Sequence, residues 1–190
     1  EQDWLPVVPE QGSVGASGDL APLSHLFLPL VGEGEVWVEN EAVPARELLA
    51  QHGLRPLSLQ AKEGLALING TQFILAQAVW GLEKMAYLLD LADLAGAMSL
   101  EGFQGSAAPF TAGLHQLRPF AGAIKVATRV RALLVGSQNL HAHQDCPRVQ
   151  DPYSLRCLPQ VHGASRQAWD HLRSLTEIEL NAVTDNPVVL

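Results

Sequence analysis

Gln72-Phe73-Ile74-Leu75-Ala76-Gln77-Ala78-Val79-Trp80-Gly81-Leu82-Glu83-Lys84-Met85-Ala86-Tyr87-Leu88-Leu89-Asp90-Leu91-Ala92 decides the fold. Leu75, Val79, Leu82, Ala86 and Leu89 recur at alternating steps of four and three, the period of a helix stripe. Ile74, Ala78, Met85, Leu88 and Ala92 make a second stripe. The pattern predicts one helix from Lys62 to about Leu100. A helix apolar on two sides belongs in the middle of a bundle. Gly81 within it costs roughly 1 kcal/mol against Ala, which points to a close helix–helix approach.

Working outward, Phe120 to about Leu140 reads as a second helix, with Val126, Val130, Leu133 and Leu134 inward. Val161 to Asn181 reads as a third, with Ala168, Leu172, Leu175 and Ile178 on one face. Between them, residues 101–119 are broken by glycine and proline into loops and a short helix, and Gln144 to Pro159 is a polar loop. Upstream, residues 1–11 read as a loop, and Leu20 to Val31 as a helix interrupted at Pro29. Glu35 to Glu39 alternates as a short strand does. Glu41 to Gln51 reads as a helix, with Pro44 in its first turn and Gly53 as its stop. The expected class is mainly α: a bundle of long helices with one small β element near the N-terminus. Residues 1–190 form a single partial domain, a small α/β portion over 1–60 and a helical bundle portion over 61–190.

Apolar residues make up 47% of the 190 and charged ones 17%, so part of the surface is expected to be covered by other chains or segments. A net charge of −8 argues against nucleic acid as a partner. No uninterrupted apolar run of membrane-spanning length stands out, so no membrane association is expected. Two cysteines, Cys146 and Cys157, are too few for a disulfide framework and suit a cytoplasmic protein. The chain begins without Met and without a recognisable first element, and reads as cut from something longer.

Gly12 to Leu23 carries the chemistry: Gly-Ser-Val-Gly-Ala-Ser-Gly-Asp-Leu-Ala-Pro-Leu. Gly15 and Gly18 can take positive φ without a Cβ penalty. Such a loop can bend until the Gly18 amide nitrogen faces the Ala16 carbonyl carbon. Attack there closes a five-membered ring with loss of water. Loss of the Ser17 hydroxyl as a second water leaves an exocyclic methylidene, an electrophile made from the chain itself. Taken alone, Gly-Ala-Ser is as consistent with a plain loop, with Ser17 or Asp19 as a helix N-cap. With its flanks, the run closely resembles the signature of the aromatic amino acid ammonia-lyases, most of all their histidine-acting branch. The resemblance implies that Ala16, Ser17 and Gly18 form a 4-methylideneimidazol-5-one (MIO) ring and that Asp19 supports it.

Asn69-Gly70 is a turn former inside an otherwise helical apolar stretch, and such conflicts are expected at functional sites or at helix breaks. Lys62-Glu63-Gly64-Leu65-Ala66-Leu67-Ile68-Asn69-Gly70-Thr71 resembles a second family signature, which places Asn69 against the electrophile. Val149-Gln150-Asp151-Pro152-Tyr153-Ser154-Leu155-Arg156-Cys157 offers an amide, a phenol and a guanidinium in one loop. A guanidinium can grip a carboxylate through two parallel hydrogen bonds, and a phenol near cations can pass a proton. The resemblance makes Arg156 the ligand of the substrate carboxylate, with Gln150 and Tyr153 lining the site from a neighbouring subunit. His141, His143, Asp145 and Cys146 are zinc-type residues, but no second cluster completes four ligands, so no metal is expected. His141 and His143 more simply end a helix. Glu177-Ile178-Glu179-Leu180-Asn181 and Thr184-Asp185-Asn186-Pro187 match a family helix and turn and read as structural.

The resemblance runs through the whole chain but covers only the middle of a family member. It implies elimination of ammonia from L-histidine to give urocanate, in a homo-oligomer, expected to be a tetramer, with these 190 residues inactive alone. A tyrosine or phenylalanine lyase, an aminomutase, or a non-catalytic helical scaffold stand as alternatives.

Overall fold

The long apolar pattern does become the longest helix, but not in one piece. A computed structural model describes residues 3–12, 14, 18–185 and 187–188. In it the expected helix from Lys62 is two: α3 over Glu63–Ile68 and α4 over Gln72–Gly102. Asn69 ends α3 with φ −99° and ψ 61°, outside helical values. The local Asn-Gly preference for a turn overrides the flanking periodicity. Of the two stripes on α4, Leu82 and Leu89 of the first are buried, whereas Ile74, Met85 and Leu88 of the second are exposed. By length and composition alone, Glu63–Gly102 is apolar enough to cross a membrane, which corrects the reading that no such run exists. The same stretch breaks at Asn69 and buries Asp93 completely against Arg166.

Before α3 the order is β1 Leu5–Pro6, α1 Leu20–Phe27, a 3-10 turn Leu28–Val31, β2 Glu35–Val38, β3 Glu41–Pro44 and α2 Ala45–Gln51. Two expectations are corrected here. Leu5–Pro6 is not loop but pairs antiparallel with β2, and Glu41–Pro44 is not the start of a helix but the third strand. Glu39 and Asn40 explain the second: both take positive φ (49° and 71°), so a two-residue turn folds the chain straight back. Val38 then faces Glu41, and Glu35 faces Pro44. Val36, Ala45 and Leu48 form a small buried core under this sheet, with Trp4, Val38 and Val43 against it.

After α4 come a 3-10 turn Ala108–Phe110, α5 Ala112–Gln116, α6 Ala121–Leu133, α7 Gln138–Ala142, α8 Tyr153–Arg156 and α9 Leu158–Leu180. The helix expected over Phe120–Leu140 is therefore two. Gly136 takes φ +76°, which ends the first, and the Ser137 hydroxyl caps the second by accepting from Leu140 N–H. The loop expected over 144–159 holds α8 and the first residues of α9.

Two compact units result: Glu1–Ala78 with Thr176–Leu190, and Val79–Leu175. The second has the larger core: Ala97, Leu100, Phe110, Val126, Ala127, Val130 and Leu134. Leu133, expected inward, is exposed. In this unit α6 and α9 touch at Gly122 and Gly163, where a Cβ on Gly163 would stand 2.5 Å from Ala123 N.

The largest departure concerns α9. Leu172, Leu175 and Ile178, expected inward, are 51%, 49% and 67% exposed, while Gly163, Arg166 and Thr176 are buried. The buried polar group has a cause. Arg166 Nη2 donates to Asp93 Oδ2 at 2.5 Å, Asp90 Oδ1 at 2.8 Å and the Leu89 carbonyl at 3.1 Å. His162 Nδ1 lies 2.9 Å from the other Asp93 oxygen, and Arg129 Nε 3.5 Å from Asp93 Oδ2. Burial opposes the Arg166 charge, yet the bonds to Asp90 and Asp93 outweigh it and raise its pKa.

Candidate active site

Gly18 and Asp19 sit against the turn between α3 and α4. Gly18 takes φ +94°, and a Cβ there would lie 3.0 Å from Asn69 Oδ1 and 3.1 Å from Gly70 N, so neither the conformation nor the space admits a side chain. The next amide, Asp19 N–H, donates to the Gly70 carbonyl at 2.8 Å. Asp19 is wholly buried, and its Oδ2 accepts from Ile74 N–H at 2.9 Å. That N–H is in the open first turn of α4, where the 31-residue helix presents its positive end to a carboxylate. The other oxygen, Oδ1, is buried with no hydrogen-bond partner among the described residues. Buried carboxylate oxygens without partners are costly. Ala16 and Ser17, expected to complete the electrophile, lie outside the described residues.

Gln150, Tyr153 and Arg156 belong to the second unit. Pro152, with φ −53°, leads into the single turn of α8, which begins at Tyr153 and ends at Arg156. Arg156 Nε donates to the Asp151 carbonyl at 2.9 Å, and its guanidinium lies 5.4 Å from the centre of the Tyr153 ring. Gln150, Tyr153 and Arg156 together line a cavity of about 470 Å³, which Arg118 and Gln160 also face. The structure thus gathers these three on one cavity and gathers Gly18, Asp19 and Asn69 around one turn.

Asp151 was missed by sequence reasoning. It is buried, its Oδ2 accepts from Ser106 N–H at 2.6 Å, and Arg148 stands 3.7 Å from its Oδ1. It anchors the loop whose carbonyl holds Arg156. Its only signal was an acidic residue before proline inside an otherwise functional string. Asp151→Ala leaves Ser106 N–H without its acceptor, at a cost of about 1–3 kcal/mol. A loss of thermal stability of that size, followed by circular dichroism, is the expected result.

His141 and His143 lie at the end of α7, and His143 Nε2 is 3.2 Å from Arg148 Nη2. Among the described residues no three His, Cys, Asp or Glu side chains are placed to hold a metal ion.

Residues 1–190 match the family model for aromatic amino acid lyase, and the chain belongs to that family. It is 54% identical over 189 residues to a histidine ammonia-lyase of Sorangium cellulosum, covering 100% of this chain and 37% of the relative. Among solved structures it resembles histidine ammonia-lyase from Trypanosoma cruzi (42% identity, TM-score 0.80, covering 98% of this chain and 34% of that one). It also resembles a tyrosine aminomutase from Streptomyces globisporus (36% identity, TM-score 0.82, covering 98% and 38%). The chain spans a little over a third of the length of these relatives.

Proposed function

We propose that the protein to which these residues belong is a histidine ammonia-lyase, releasing ammonia from L-histidine to give urocanate, and that it works as a homo-oligomer. The observation that carries the reading is the Gly18–Asp19 loop lying on the Asn69–Gly70 turn, with one buried Asp19 oxygen unpartnered among the described residues. The higher identity to a histidine ammonia-lyase than to the aminomutase supports the choice of substrate. The exposed apolar faces of α4 and α9 support assembly.

The site residues fit an MIO group made from Ala16, Ser17 and Gly18. Gly18 sits where only a residue without a side chain fits, and Asp19 Oδ1 is an acceptor without a partner among the described residues. Such a group supplies the electrophile that turns the substrate amine into a better leaving group. The chain's own residues do the remainder. Arg156 holds the substrate carboxylate through a charge-assisted pair of bonds. Its Nε is tied to the Asp151 carbonyl, so the guanidinium is oriented in advance. Asn69 presents its side chain where negative charge develops. Asp19 holds the loop on the end of α4 through Ile74 N–H. Gln150 and Tyr153 orient the substrate, and the Tyr153 phenol, whose ring centre lies 5.4 Å from the Arg156 guanidinium, passes a proton.

The test is the intact mass of the purified protein beside a Ser17→Ala variant, followed by turnover of L-histidine, L-tyrosine and L-phenylalanine. A deficit of two waters that the variant lacks, with urocanate from L-histidine alone, is expected. An unmodified mass in the active protein would overturn the reading, and preference for tyrosine would move it to another branch of the family.

A further inference from the structure

The end of α9 and the turn after it are tied to the Asn69 turn by three polar bridges, all within the first unit. Thr71 Oγ1 donates to Glu179 Oε1 at 2.7 Å. Gln72 Nε2 donates to Thr184 Oγ1 at 3.1 Å, and Lys62 Nζ pairs with Asp185 Oδ2. These join segments more than a hundred residues apart in the chain. They flank Asn69 on both sides: Lys62 opens α3, and Thr71 and Gln72 open α4.

Two details show that the bridges constrain the turn. Lys62 is not glycine, yet it takes φ +77°, a conformation that costs a side-chain-bearing residue about 1–2 kcal/mol. Such strain persists only where its surroundings impose it, and Lys62 is tied at its far end to Asp185. Thr71, directly before α4, stands where a threonine ordinarily turns its hydroxyl back to cap its own helix. Its hydroxyl instead goes to Glu179, and the Ile74 N–H it would have served goes to Asp19. The carboxylate under the Gly18 loop therefore caps α4 in place of the local threonine.

We infer that Glu179 is a positioning residue: by holding Thr71, it fixes the Asn69–Gly70 turn and, through that turn, seats Gly18 and Asp19. This rests on the function proposed above for Gly18, Asp19 and Asn69. It gives a role to a glutamate that sequence reasoning left as structural.

The experiment is amide hydrogen exchange on the whole protein with Glu179→Ala, Glu179→Gln, Thr71→Val and the Glu179→Ala/Thr71→Val double variant. It is repeated in the Ser17→Ala background, so that it reads the clamp whether or not a ring forms. Loss of a hydrogen bond to a charged group is expected to speed exchange at Asp19 and Ile74 N–H about ten- to hundredfold. Glu179→Ala and Thr71→Val should give the same factor, and the double variant no more, because both remove one bond. Glu179→Gln keeps an oxygen for the Thr71 hydroxyl and should stay near the unaltered protein. Exchange at Val126 and Val130, in the core of the other unit, should not change. In parallel, the fraction of protein short of two waters should fall in Glu179→Ala and recover in Glu179→Gln. Unchanged exchange at Asp19 in Glu179→Ala would overturn the inference. So would equal acceleration at Val126, which marks a general loss of stability, or a glutamine variant as impaired as the alanine. If no two-water deficit occurs even in the unaltered protein, the proposed function fails, and the exchange result still decides the clamp.

Discussion

Asp93→Ala is expected to cost about 3–5 kcal/mol of stability, because it strands a buried cation. Arg166 is 5% exposed, and Asp93 lies at 0% with both carboxylate oxygens engaged, one by Arg166 and the other by His162. Removing the carboxylate leaves the guanidinium with Asp90, whose side chain is 50% exposed, and with one backbone carbonyl. Thermal unfolding followed by circular dichroism measures the loss. For a chain of this size a drop in Tm of roughly 6–20 °C corresponds to it. Acid should weaken the same cluster. The bond from Arg166 holds the Asp90 carboxyl below its ordinary value of 3.8. Its contribution is therefore complete above that pH and is lost as pH falls through the lower folded-state value. Because Asp90 is half exposed, this is a small part of the cluster's effect.

On the function proposed above, Asn69→Ala is expected to lower kcat about 10²–10³-fold, the usual cost of removing one preorganised donor from a site where charge develops. The intact mass of the variant is expected to keep its two-water deficit, since the Asp19 bonds run to backbone groups, the Gly70 carbonyl and the Ile74 N–H. Steady-state kinetics with L-histidine beside intact mass separates the two effects. Loss of the deficit would instead place Asn69 in forming the electrophile.

Much of the architecture was legible because it is local. The steps of four and three through Leu75 to Leu89 dictate a helix wherever the segment sits, and that stripe is the one α4 buries at Leu82 and Leu89. Asn69-Gly70 announced its own conflict, and the chain breaks there. The Glu39-Asn40 turn was harder to see. Positive φ at both positions is common for Asn but unusual for Glu, so Glu41–Pro44 looked like the beginning of a helix. The apolar face of α9 misled for another reason. Periodicity marks a face that wants cover but does not say whether this chain supplies it, and here the chain buries Arg166 and Gly163 instead.

The site divides along the same line. Sequence by itself determined the residue types: the Gly-Ala-Ser-Gly-Asp string, the Asn-Gly break, and the Gln, Tyr and Arg of one loop. Each is a short run, so its chemistry and backbone preferences are written in adjacent residues. Only the tertiary structure decided which distant groups hold those runs in place. Asp19 caps a helix that begins 53 residues later, Asp151 anchors its loop to Ser106, and Glu179 takes the Thr71 hydroxyl. A buried carboxylate must find its donors wherever the fold brings them. No spacing along the chain encodes that meeting, because it is fixed by how the helices pack.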